Sequence, residues 1–191
     1  MLAALLLAVL PLSGHDDPDL LTLKDGKQVE CRVLFENEQK VVYRTGKKTQ
    51  EVARAEVSDI QSVERSLEQF LERFASADAT SVPALAELAL FAEKSYLPGE
   101  AFNTWIRVLT IDPENEQAWT KLGGTKRRKG WELKVRGRFL DIQELRTRVS
   151  DWKNALELRT AHFLVQTDAP PELALDATLD LERAYLTFYK I

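Results

Sequence analysis

Residues 19–36, DLLTLKDGKQVECRVLFE, decide the fold class of the front of this chain. Val29, Cys31, Val33 and Phe35 alternate with Gln28, Glu30 and Arg32, the period of two expected of a half-buried strand. The Asp25-Gly26 pair before it is a strong hairpin signal, because glycine accepts the positive φ that tight turns need. Leu20–Leu23 therefore pairs with Gln28–Glu36. Asn37-Glu38 turns the chain, and Val41-Val42-Tyr43 forms the next strand. Thr45-Gly46-Lys47 turns it again into Thr49–Ala53. Ala55–Val57 reads as one helical turn, and Ile60–Val63 closes the sheet. The expected core of this region is Leu21, Leu23, Val29, Cys31, Val33, Phe35 and Ile60.

Working outward, the 191 residues are 45% hydrophobic and 29% charged, a globular composition with room for one or two domains. A single cysteine excludes a disulfide framework and a cysteine-based zinc finger. His15 and His162 are too far apart in sequence for a local zinc pair. The net charge of -4 gives no global attraction to nucleic acid, so no specific nucleic-acid partner is expected. No glycine-rich phosphate loop, nucleophile elbow or metal-ligand cluster stands in the sequence. No cofactor is expected, and no complete active site. Asp16-Asp17 is a pair of solvated carboxylates in a linker.

Leu2–Leu12 is an apolar run of 11 residues. A membrane-spanning helix needs about 20, whereas the apolar core of an export leader needs about 7–15. Small Ser13 and Gly14 and the polar stretch His15–Asp19 follow, as at a processed N-terminus. The chain is expected to be exported to the periplasm or beyond, meeting the membrane only in transit. Cys31 would then be an unpaired thiol in an oxidising compartment, safest when buried.

Five short strands with tight turns, and one helical turn before the last, resemble the SH3-like and Sm-like small barrels. Val52–Val57 is similar to the second Sm motif, with Ala55 where that motif carries glycine.

Helical spacing takes over at Ser66. Leu67, Phe70, Leu71 and Phe74 share one face. Ser81 is the expected cap of a helix with Pro83 in its first turn and Leu85, Leu88, Ala89 and Ala92 inward. Ala101, Trp105, Val108 and Leu109 belong to a third helix ended by Asp112-Pro113. Ala118, Trp119 and Leu122 belong to a fourth. Leu85, Leu88, Ala89, then Ala101, Trp105 and Val108, then Pro113, then Trp119 and Leu122, resemble a tetratricopeptide repeat. One repeat and half of another leave faces to be covered by the rest of the chain or by a partner.

From Lys121 to Arg138 there are eight basic side chains and one acid, Glu132, a local charge of +7 that leaves -11 for the rest. With Trp131 and Phe139 interleaved, Lys126, Arg127, Arg128, Lys129, Trp131, Arg136 and Arg138 form a candidate surface for an anionic polymer. The alternatives are pairing with the protein's own acids and a solvated connector.

Asp141–Glu144 has the form of a capping box opening a helix. Ala155–Arg159 and His162–Thr167 alternate as strands reversed at Thr160-Ala161, and a helix follows Pro171 to Tyr189. Leu173, Ala177, Leu181, Ala184, Tyr185 and Phe188 make one apolar stripe on it; Leu175, Leu179 and Leu186 make another. His162-Phe163-x-Val165-x-Thr167, then Leu181-Glu182-x-x-Tyr185-x-x-Phe188, resemble the opening strand and helix of exported gluzincin-like metallopeptidase domains of multi-domain bacterial proteins. That family draws its zinc ligands from a downstream His-Glu-x-x-His helix, which these residues do not contain, so His162 is expected to be a strand residue.

The expected fold class is α+β: a small five-stranded β-barrel, a tetratricopeptide-like helical segment and a C-terminal β-hairpin plus helix. The expected division is a leader at 1–14, a linker at 15–18, the barrel at 19–64 and the helical region at 65–125. A basic connector with a capped helix follows at 126–150, then the start of an α/β domain, truncated, at 151–191. The functional expectation is an exported, non-catalytic interaction module with a protein partner or a further C-terminal domain. The alternatives are the front of a secreted zinc peptidase and a binder of anionic envelope polymers.

Overall fold

The structure is a computed structural model that describes residues 7–11, 19–128, 130–135, 138–144 and 155–189. It is α+β and divides into two compact units, one of residues 14–66 and one of residues 1–13 with 67–191.

The first unit is an antiparallel sheet ordered β5-β4-β3-β2-β6, and its pairing ends at those outer strands. The strands are β2 (Asp19–Leu23), β3 (Gln28–Glu36), β4 (Lys40–Thr45), β5 (Lys48–Ala53) and β6 (Val57–Gln61). A 3-10 turn, Arg54–Glu56, precedes β6 where the sequence placed one helical turn. Gly26 and Gly46 turn the hairpins at φ of 84° and 60°, a region that side chains avoid.

Leu21, Cys31, Val41, Tyr43, Val57 and Ile60 are the buried core of this sheet, with Leu23, Val29 and Val33 at its margin. Phe35 departs from the expected core and is 50% exposed. The cause is a bulge: Val33 pairs with Tyr43 but Phe35 with Val42, so Leu34 is an extra residue and the alternation slips. Buried Asp19 accepts a 2.6 Å hydrogen bond from the Val33 amide. Glu36 receives both Arg54 Nε, at 2.7 Å, and Arg65 Nη2, at 2.5 Å, which ties the end of β3 to the segments flanking β6.

The second unit takes most of α1 (Val63–Ser76), then α2 (Val82–Lys94), α3 (Pro98–Ile111) and α4 (Glu116–Lys121). Ser81, the expected cap, accepts from the Ala84 amide, and the structure adds Asn115 as the cap of α4, accepting from the Ala118 amide. Leu85, Ala89, Trp105, Val108, Leu109, Ala118 and Trp119 form one buried cluster. The indoles pair their N–H groups, Trp105 with Glu93 Oε1 at 2.9 Å and Trp119 with the Pro113 carbonyl at 2.7 Å.

Two three-stranded sheets complete this unit. In one, β8 (Gly130–Val135) lies between β7 (Thr125–Arg127) and β9 (Arg138–Leu140), with Leu133 and Leu140 in the helical core. Asp141 and Glu144 make the reciprocal capping box; the expected remainder of that helix lies outside the described residues. In the other, β11 (Phe163–Thr167) is central, flanked by β10 (Leu156–Arg159) and by β1 (Leu7–Pro11), a strand from within the apolar N-terminal run.

The last helix, α5 (Pro171–Tyr189), buries Ala174, Leu175, Thr178 and Glu182, and leaves Leu173 57% and Phe188 72% exposed. The inward face is therefore centred on neither apolar stripe. A polar residue, Glu182, sets it.

Two measurements check the packing. Burial pushes the Cys31 thiol up to about 11, so at pH 8 roughly one thiol in a thousand is thiolate. An aromatic disulfide reagent should label it only when denaturant is added. Ala89 is fully buried, and Ala89→Leu should lower stability by about 1–3 kcal/mol through overpacking, read as a lower urea midpoint.

Candidate functional site

The densest group of buried polar side chains gathers on the turn between β10 and β11. Its formation starts at Gly99: a β-carbon there would lie 2.3 Å from the Arg159 carbonyl oxygen, so only glycine lets α3 come this close. That approach delivers Glu100 and Asn103, one turn apart on α3. Glu100 Oε1 accepts the Ala161 amide at 2.7 Å, and Asn103 Nδ2 donates to the Arg159 carbonyl at 3.2 Å. From the other side α5 delivers Glu182, whose Oε1 accepts the His162 amide at 2.8 Å while Oε2 lies 2.7 Å from His162 Nδ1. The imidazole stacks on Tyr185 with ring centres 3.7 Å apart, and Phe163 meets Tyr185 edge-on. The turn closes on itself through Thr160, whose amide donates to the Phe163 carbonyl and whose hydroxyl accepts from the Phe163 amide.

Glu100, His162 and Glu182 are each at most 5% exposed. Burial pushes the Glu100 carboxyl up to about 7, against the pull of the Ala161 amide; nearby Glu182 pushes it the same way as burial. Its second oxygen, Oε2, and Asn103 Oδ1 are both shielded and without a partner. A shallow cleft, with room for about one water molecule, has Glu100, Asn103, Thr160 and Glu182 among its lining, with Phe70, Phe74, Leu175 and Leu179. Among the described residues no three or more His, Cys, Asp or Glu side chains converge to hold a metal.

Chemically, the group is a clamp. Both Glu182 oxygens and one Glu100 oxygen hold the chain at residues 161 and 162, and the free Glu100 oxygen is closed off from a reacting molecule. His162 precedes β11, held by its amide, its ring nitrogen and its stacked face. The sequence expectation of His162 as a strand residue is off by one position, since the strand opens at Phe163 and His162 belongs to the turn before it; Glu182 stood in the quoted motif without a role, and Glu100 was not singled out. The available signal was weak: a Pro-Gly-Glu opening of α3, and a glutamate on an otherwise apolar face of α5.

The basic candidates lie elsewhere in the same unit. Lys126, Arg127, Arg128 and Trp131 come together on the β7–β8 hairpin, where Lys126 pairs with Trp131 and Arg127 with Gly130. Lys129 and Arg136 lie outside the described residues, and Arg138 is described as backbone of β9 alone. Lys126 reaches Glu116 at 2.8 Å, and Lys121 reaches Glu93 at 2.5 Å. Arg127 lies 3.5 Å from Glu132 and sits over the Phe139 ring. The Glu116 carboxylate raises the Lys126 pKa, and Lys126 lowers that of Glu116. Trp131 stacks on Trp119 at 6.2 Å, with the rings 5° from parallel, so one of its faces is already occupied. Lys121, Lys126 and Arg127 thus meet acids or aromatics of the chain itself.

Comparison of the chain with protein-family models, with curated proteins and with solved structures finds no match.

The clamp predicts a pH dependence with a definite sign. The Glu100 carboxyl holds its proton up to about 7 in the fold, against 4.5 as the ordinary value. Between those pH values the folded state binds more protons than the unfolded, so stability falls as pH rises. The contribution is whole below 4.5 and lost above about 7. Glu100→Gln keeps an acceptor for Ala161 and removes the titration. The variant should gain on the wild type at pH 8, by at most about 3 kcal/mol, and match it near pH 4.5 in urea unfolding.

Proposed function

We propose that this chain is an exported, non-catalytic interaction and scaffold module. What carries the reading is the use of its buried ionisable groups: Glu100 and Glu182 spend their oxygens on the Ala161 and His162 amides. Side chains of the type that would do acid–base work are fixed as structural supports. The sheet of β2–β6 we take as the wall of a small SH3-like or Sm-like barrel. We take α2 and α3, with α4 after them, as a tetratricopeptide-like unit. Export rests on Leu2–Leu12 and the small residues after it.

A second reading, the front of a gluzincin-like peptidase, draws on the strand and helix joined by His162, Glu182 and Tyr185. The polyanion reading has less in its favour, since Lys126 and Arg127 face Glu116 and Glu132.

Production of the chain with an export-competent bacterial host separates the three. The scaffold reading expects a periplasmic product shortened by about the length of a leader, ~15–30 residues or somewhat less. That product should leave a heparin column at low salt. The coding sequence supplies the third arm: a reading frame that runs on past Ile191 into a His-Glu-x-x-His helix would establish the peptidase reading instead. Retention that falls steeply with salt, and is lost in Arg127→Glu/Arg128→Glu, would establish polyanion binding.

A further inference from the structure

The apolar N-terminal run has two roles that exclude each other in time. As an export leader it leaves the protein. In the structure, its residues Leu7–Pro11 form β1, paired antiparallel with β11 in the register Leu7 to Thr167, Val9 to Val165 and Pro11 to Phe163. On its other side β11 pairs with β10. Loss of β1 would therefore turn the central strand of this sheet into an edge. That edge would carry a row of unpaired amides and carbonyls beside Val165 and Thr167, both fully buried in the structure.

Such an edge is a template for another extended chain, with main-chain hydrogen bonds supplying affinity. The resident strand indicates what fits: Leu-Ala-Val-Leu-Pro is uncharged and apolar at every position and runs antiparallel. We propose that the outer edge of β11 is a strand-acceptor site, filled by Leu7–Pro11 in the precursor and, after export, by an extended, uncharged, apolar segment of a partner protein. A copy of β11 itself is a poorer match, because Phe163–Thr167 includes the polar Gln166 and Thr167. The leader masks the site until the protein has left the compartment in which it was made. The timing rests on the export reading above; the acceptor edge does not.

The full chain tests the edge. Neighbouring amides of a strand point to opposite sides, so in Ala8→Pro/Val9→Pro one of the two prolines must remove a hydrogen bond to β11. The probe is a fluorescein-labelled peptide of residues 6–14 with two lysines added for solubility, followed by anisotropy. The wild-type chain should exclude it, and the double variant should bind it saturably. Hydrogen exchange should be fast in the variant at the alternate amides of Phe163–Thr167 that face β1, and slow again with peptide, while those that face β10 stay slow throughout. A peptide carrying the same two prolines should bind at least tenfold more weakly.

Equal binding of both peptides, binding of neither by a folded variant, or β11 amides as protected in the variant as in the wild type would each overturn the proposal. Should the variant not fold, the exported product is titrated in its place. A monomer that binds the peptide supports the proposal, and a dimer with protected β11 amides overturns it in favour of a second copy. Mass measurement of the exported product keeps the two readings apart. A retained leader sinks the export reading and its timing, while the edge still stands or falls on the full-chain titration.

Discussion

Two consecutive backbone amides, those of Ala161 and His162, are buried in the turn between β10 and β11, and each is met by a carboxylate from a different helix. A buried amide left unpaired would cost about 1–3 kcal/mol, so both helices must stand where they do for this turn to be buried at all. Glu100 fixes the start of α3 and Glu182 fixes the rotation of α5. Gly99 permits the first and Tyr185, stacked on His162, reinforces the second. The exposure of Leu173 and Phe188 follows from this constraint. An α5 turned to bury them would carry Glu182 out to solvent and away from His162, leaving the buried His162 amide without its acceptor.

The same economy governs the surface charge. Part of the +7 of residues 121–138 is met within the chain: Lys121, Lys126 and Arg127 each face a glutamate. These pairs are exposed and contribute little to stability. Their effect is on recognition, because a cation already beside a carboxylate is a weaker lure for a polyanion. Trp131, stacked on Trp119, similarly has one face less to offer a base or a sugar.

The local elements were legible in the sequence because their causes are local. The period of two in β3, the Asp-Gly turn at Gly26, the Ser81 cap and the Asp141–Glu144 box all act within a few residues. The bulge at Leu34 was not legible. One extra residue against Val42 and Tyr43 moves Phe35 out of the core, and nothing in the alternation of β3 marks where the partner strand will be one residue short. The clamp was hidden for a different reason. Glu100 and Ala161 are 61 residues apart and His162 and Glu182 are 20, so only the assembled unit brings them together. The apolar stripes misled for α5, because the helix orients on its one buried carboxylate.

The N-terminal run shows tertiary context overriding intrinsic preference. Leucine and alanine, its main residues, favour the helix over the extended chain. Yet Leu7–Pro11 is a strand, and among the described residues it is paired with β11 alone. Its conformation is thus borrowed from the edge it lies on rather than specified by its own sequence. A strand held in this way contributes backbone hydrogen bonds and little that is particular to itself. The specificity lies with β11, whose register is fixed from the other side by β10 and whose buried face is fixed by α5. An edge that can impose extension on a leucine-rich segment can impose it on another apolar segment of the same length.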